Sequence, residues 1–277
     1  MTVPELRARK TQPEGKIACL TAYDFPTAVL LDRAGVDLIL VGDSLGMVVQ
    51  GRDDTLSVTL DEVLYHLRTV RRAVRRALVV ADLPYGSYHV SGDEMMRAAL
   101  RLIKEGGAEA IKIEGGDRRR DAIHRLVEAD IPVMGHIGLT PQSVHALGGF
   151  TVQGRSEEAA QQLLRDAHAV EEAGAFAIVL ESIPRELAAR ITGELRIPTI
   201  GIGAGPDCDG QVLVFHDLVG LTINGAPKFA REYAQLGTEI VRAATAYIND
   251  VRNGSFPADS ESFHLPAALG DRTLARR

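Results

Sequence analysis

Tryptophan is absent from this 277-residue chain, and aromatic residues make up only 5% of it. A surface that stacks single-stranded bases needs several exposed rings, and so few rings argue against one. Cysteine is nearly missing as well. Cys19 and Cys208 cannot build a disulfide framework, so a reducing compartment, the cytoplasm, is the expected location. No apolar run approaches the roughly 20 residues of a membrane-spanning helix. The opening stretch MTVPELRARKTQPEGK is too polar for a secretory signal. Positive charge is not in excess either: 31 Lys and Arg face 37 Asp and Glu, a formal net charge of −6. Phosphate backbones require a concentrated basic footprint, which this balance does not offer. Neither nucleic acid nor a membrane is expected as a partner.

What the chain does have is core-forming material, 45% hydrophobic against 25% charged. Short apolar runs alternate with longer helical patterns. Strands are predicted at 17–21 (IACLT), 37–42, 77–82, 109–114, 131–136, 176–181, 197–202 and 218–222 (LVGLT). Most are continuously apolar rather than alternating, as parallel strands buried on both faces are. Helices are predicted near 24–34, 60–75, 91–105, 118–129, 156–173, 184–195 and 228–250, the third opened by a capping box from Ser91 to Glu94. Three units repeat a glycine, a strand and then an acid: Gly35 to Asp43, Gly107 to Glu114, and Gly174 to Glu181. The glycines fit ordinary helix C-caps; the recurring acids call for a further reason. Eight strands alternating with helices predict an α/β fold, a single (β/α)8 TIM barrel over residues 1–264. A short helix before residue 15 is expected to cover the barrel bottom, and residues 265–277 are expected to form a flexible tail.

Barrel chemistry gathers at the C-terminal ends of the strands, because the loops there are free to vary. Those ends carry Asp43 and Ser44, Asp82, Lys112 and Glu114, His136, and Glu181. Four carboxylates aimed at one mouth repel each other unless positive charge sits among them. Hard oxygen donors on rigid strands suit Mg²⁺. The alternative is that each acid caps a helix or pairs with a loop arginine. Lys112 either grips an anionic substrate or forms a structural pair with Glu114, and His136 is either a ligand contact or a satisfied structural residue. GIGAG at 201–205 reads as a close-passing loop in preference to a phosphate cradle. Arg68, Arg71, Arg72, Arg75 and Arg76 read as a solvated or subunit-facing helix stripe.

VGDSLGMVVQG at 41–51 is followed in order by ADLPYGSY, KIEGG, GHIGLTPQS, GGF with VQGR, VLE, and IGIGAG ahead of DGQ. This series resembles the ketopantoate hydroxymethyltransferase family over about residues 15 to 264. The stretch SYHVSGDE departs from the family pattern. The resemblance implies Asp43, Asp82 and Glu114 as metal ligands for Mg²⁺, and Glu181 as the catalytic base. It implies Ser44, with Asp43, Asp82, Lys112 and His136, as contacts to a 2-oxo acid. Methylenetetrahydrofolate as co-substrate, a Mg²⁺-stabilised enolate and a homo-decamer are implied by the resemblance alone. The lyases of similar barrels carry a catalytic Cys in a Lys-Lys-Cys-Gly-His loop, and no such string occurs here.

Overall fold

A computed structural model describes residues 1–12, 15–223 and 225–266. From the N-terminus, α1 (Val3–Ala8) precedes β1 (Ile17–Thr21), α2 (Phe25–Ala34), β2 (Leu38–Val41), the one-turn α3 (Leu45–Val48) and α4 (Leu60–Ala73). β3 (Leu78–Asp82), α5 (Gly92–Lys104), β4 (Ala110–Glu114), α6 (Arg120–Glu128) and β5 (Val133–Gly138) continue the alternation. α7 (Val144–Leu147), α8 (Glu157–Glu172), β6 (Ala177–Glu181), α9 (Arg185–Glu194) and β7 (Thr199–Ile202) come next. β8 (Gly210–Leu213), α10 (Phe215–Leu218) and α11 (Leu236–Asn253) complete the series. The strands form a closed parallel barrel in chain order, β8 returning to β1 with Ile17 opposite Gly210. The expected (β/α)8 barrel is therefore present.

Period-two alternation divides strands β2 to β6 between two apolar layers. Ile39 and Val41, Val79 and Ala81, Ile111 and Ile113 pack outward with the helices, in one cluster with Leu64, Leu67, Leu102 and Val170. Leu38 and Leu40, Leu78 and Val80, Ala110, Met134, Ala177 and Val179 form the second cluster, inside the barrel. Leu6 of α1 belongs to this inner cluster and is fully buried, so the N-terminal helix closes the barrel bottom as expected. Cys19 packs there as a small hydrophobe.

Three expectations need correction. The eighth strand is Gly210–Leu213, not 218–222. Gly220 lies at φ +67, a left-handed turn that no extended strand contains, and Phe215–Leu218 coil into a helical turn. The last helix begins at Leu236 rather than near 228, because the chain before it is pinned by backbone bonds from Tyr233 to Leu218 and from Leu236 to Val219. The Ser91 cap is half a capping box: its hydroxyl accepts from Glu94 N, and the reciprocal bond is not formed. Complete boxes stand at Thr2 with Glu5 and at Thr59 with Glu62. The expected tail lies outside the described residues except for Leu265 and Pro266. In the arginine stripe, Arg68 pairs with Glu105 at 2.8 Å on the outer surface. The GIGAG loop turns tightly between β7 and β8, and Gln211 donates to the Gly205 carbonyl. Among the described residues, no helix is long and apolar enough to cross a membrane.

Candidate active site

The inward rows of β3, β4, β5 and β6 begin apolar and end charged. Leu78 and Val80 lead to Asp82, Ala110 leads to Lys112 and Glu114, Met134 leads to His136, and Val179 leads to Glu181. The strand register sets these ends side by side, with Asp82 opposite Lys112 and Glu114 opposite His136. Asp43 enters from the turn after β2, and Ser44 stands at the start of α3. One oxygen from each of Asp43, Asp82 and Glu114 lies within 4.8 Å of the others, and all three residues are buried. The recurring acids of the sequence repeat thus have a common destination, although Glu181 stands apart from this trio.

Lys112 occupies the middle. Its ammonium is 2.8 Å from Asp82 Oδ1, 3.2 Å from Glu114 Oε1 and 3.1 Å from His136 Nδ1. The Asp82 contact is a close, buried ion pair. His136 extends the cluster toward the next strand, with Nδ1 3.3 Å from Glu114 Oε1 and Nε2 3.1 Å from Glu181 Oε2. The two readings of Lys112 are not exclusive: it is paired with acids and sits at the mouth of the barrel.

Burial sets the electrostatics. It raises Asp43 well above the ordinary carboxylate range, helped by the neighbouring charges of Asp82 and Glu114. Asp82 is pushed up to about 6 by the same burial, against the pull of Lys112. Burial also works upward on Glu114, but Lys112 and His136 outweigh it and hold that carboxyl down at about 2. For His136 burial and Lys112 act downward, yet Glu114 and Glu181 win and raise it to about 9. Burial acts downward on Lys112 as well, and Asp82, Glu114 and Asp43 overcome it, keeping the ammonium charged. Two of the three acids therefore hold protons more tightly than free carboxylates do. A cation can replace those protons, and three buried hard oxygens, two at the ends of strands and one in the turn after β2, fit a divalent metal ion.

Glu181 is aimed by its backbone. Gly138 pairs with it in register at φ +93, and a Cβ there would fall 2.2 Å from the Glu181 carbonyl oxygen. Only glycine allows β5 to pass so close. Leu139 N then donates to that same carbonyl. On the other side Ser182 takes φ +47, a left-handed conformation that costs a non-glycine residue about 1–2 kcal/mol.

Two groups escaped the sequence reading. Gln142, in the loop after β5, donates from Nε2 to Asp43 Oδ2 and to the Leu83 carbonyl, both at 2.9 Å. Its backbone N–H donates to Glu114 Oε2 at 3.1 Å, and Tyr88 donates to its Oε1. Tyr23, just beyond β1, shares a 2.7 Å hydrogen bond with the Ser44 hydroxyl. The signal for Gln142 was a polar residue inside the long GHIGLTPQS string; Tyr23 had none.

Known proteins resemble the chain at two levels. The solved structures of phosphoenolpyruvate phosphomutase from Streptomyces platensis subsp. rosaceus and of phosphonopyruvate hydrolase in complex with oxalate and Mg²⁺ match it with a TM-score of 0.60 each. They are 17% and 16% identical, cover 99% of this chain, and are themselves covered over 96% and 97%. At such identity the likeness concerns the barrel fold. Sequence relatives lie far nearer. The 3-methyl-2-oxobutanoate hydroxymethyltransferase of Koribacter versatilis (strain Ellin345) is 58% identical over 257 residues, 93% of this chain and 87% of that protein. The enzyme of the same name from Geobacter sulfurreducens is 54% identical over 262 residues, 95% of this chain and 98% of that protein. The family model for ketopantoate hydroxymethyltransferase matches residues 1–259, and the chain, a hydroxymethyltransferase, belongs to that family.

Proposed function

We propose that the protein adds a hydroxymethyl group from methylenetetrahydrofolate to 3-methyl-2-oxobutanoate (α-ketoisovalerate), giving ketopantoate in pantothenate biosynthesis, with Mg²⁺ held by Asp43, Asp82 and Glu114. The observation that carries this reading is the buried trio of acids around Lys112, with Glu181 linked to it through His136. A divalent cation held there would supply Lewis acidity, worth several kcal/mol toward ionising a carbon next to a ketone. Every other task falls to side chains. Ser44 orients the substrate carboxylate, its hydroxyl fixed by Tyr23, and Lys112 offsets the added negative charge. Glu181 accepts the C3 proton on its Oε1, while Oε2 faces His136. Carbon C3 then forms its bond to the methylene carbon of the folate as one of that carbon's two bonds to nitrogen breaks. The oxygen of water replaces the second nitrogen, and tetrahydrofolate departs, its nitrogens taking up the protons.

Residues 1–264 form the catalytic unit in this proposal, the cytoplasm is its compartment, and a homo-oligomer, a decamer by resemblance, is its working state. What supports assembly is α11, none of whose residues is buried although Leu236, Ile240, Tyr247 and Val251 line one side of it.

Deuterium exchange tests the chemistry without the folate. In heavy water with Mg²⁺, the enzyme is expected to wash out the C3 proton of 3-methyl-2-oxobutanoate, followed by NMR. EDTA should abolish the exchange, and Glu181→Gln should slow it by at least about 100-fold, the usual contribution of a positioned base. Folded wild-type enzyme that exchanges nothing would sink the reading. Cleavage of the oxo acid in place of ketopantoate formation, once methylenetetrahydrofolate is added, would favour a lyase.

A further inference from the structure

The four hydrogen bonds of Gln142 have a common effect on the acid trio. Asp43 and Glu114 each have two carboxylate oxygens, and on both residues one of them is already claimed by this single residue. The side-chain amide takes Asp43 Oδ2 at 2.9 Å, and the backbone N–H takes Glu114 Oε2 at 3.1 Å. The amide itself is held on all its polar atoms. Its second N–H goes to the Leu83 carbonyl, and its oxygen accepts from the buried Tyr88 hydroxyl. The surrounding turn is fixed by Pro141, by Ser143 N donating to Thr140 O, and by Leu139 N donating to Glu181 O. Gln142 is thus a brace in the loop after β5, joining the segments that follow β2 and β3 to the end of β4.

We propose that Gln142 is a positioning residue that limits Asp43 and Glu114 to one oxygen each toward a bound cation, and so selects a small octahedral ion over calcium. The inference rests on reading the acid trio as a metal site. Calcium takes six to eight oxygens and readily accepts bidentate carboxylates, whereas Mg²⁺ and Mn²⁺ favour six ligands in octahedral array, several of them water. A carboxylate whose second oxygen accepts from a fixed amide is held in one orientation, and turning both oxygens toward one cation would strain or break that hydrogen bond. Glutamate at position 142 could not brace the site in this way, since its carboxylate would face Asp43 with no proton to donate.

The test uses full-length protein stripped of metal, with Mn²⁺ as an EPR-visible probe and Ca²⁺ as competitor. Wild type is expected to bind Mn²⁺ in preference to Ca²⁺. Gln142→Met keeps the side-chain length and the backbone donor to Glu114 but frees Asp43 Oδ2. In that variant the preference should fall by about tenfold or more, in line with the effect of outer partners on metal sites. Should that variant fail to fold, Gln142→Asn withdraws the same donor by one methylene, and the same tenfold loss is expected. A merely structural role would weaken both ions together, so an unchanged Mn²⁺ to Ca²⁺ ratio alongside reduced affinity overturns the proposal. Wild-type protein that binds no Mn²⁺ overturns the metal-site reading, and this inference with it.

Discussion

At Lys112 one ammonium cut off from water lies between Asp82 at 2.8 Å and Glu114 at 3.2 Å. Removing one partner from a buried ion cluster leaves the rest uncompensated, at a typical cost of about 3–5 kcal/mol. Lys112→Met in EDTA is therefore expected to lose stability of that order by urea denaturation, and Mg²⁺ should restore part of it by supplying the missing positive charge. A loss below about 1 kcal/mol would mean that protons already neutralise the acids. Lys112 and its neighbours were legible in the sequence because they break an apolar strand pattern at its C-terminal end, the end where barrel chemistry gathers. Gln142 was not legible in that way. It meets Asp43 across 99 positions of sequence, in a loop whose path no periodicity describes.

The helices show how far local signals reach. Thr59 and Glu62 make a full capping box at the start of α4, with Glu62 also bound by Arg52 at 2.7 Å. The Thr59 backbone N–H, then the Thr59 hydroxyl and Arg52, hold the Glu62 carboxyl down at about 2 against an ordinary value of 4.5. Its folded pKa is depressed, so its contribution is complete above about pH 4.5 and disappears as pH falls toward 2. Glu62→Gln should cost about 1 kcal/mol at pH 7, and the gap from wild type should close between those two values in urea titrations. A gap that persisted at pH 2 would place the effect in packing. Where such punctuation was strong, the predicted helix bounds nearly match those found. β8 shows the opposite case. Its four residues GQVL are shorter and more polar than the nearby LVGLT, and their place is set by pairing with β1 rather than by composition. Tertiary context overrides a weak local preference in such a segment.

For the molecule as a whole, α11 poses the main question. It runs 18 residues with no buried side chain, and Ile240 and Tyr247 are 57% exposed each. A second copy of the chain, covering that face, is the occupant consistent with the oligomer proposed above. Sedimentation velocity should find wild type as an oligomer at micromolar concentration, and Ile240→Asp combined with Tyr247→Asp should shift it to smaller species with the barrel still folded. Monomeric wild type would remove that support. Ring closure by β8 also has a consequence in time. Ile17 finds its partner only when Gly210 has been synthesised, so β1 waits with an open edge through most of translation. Pairings so distant in sequence form late and slowly. The nascent chain therefore spends that interval with its first strand able to join another chain's sheet, which makes the protection of β1 a matter for the folding environment rather than for the finished barrel.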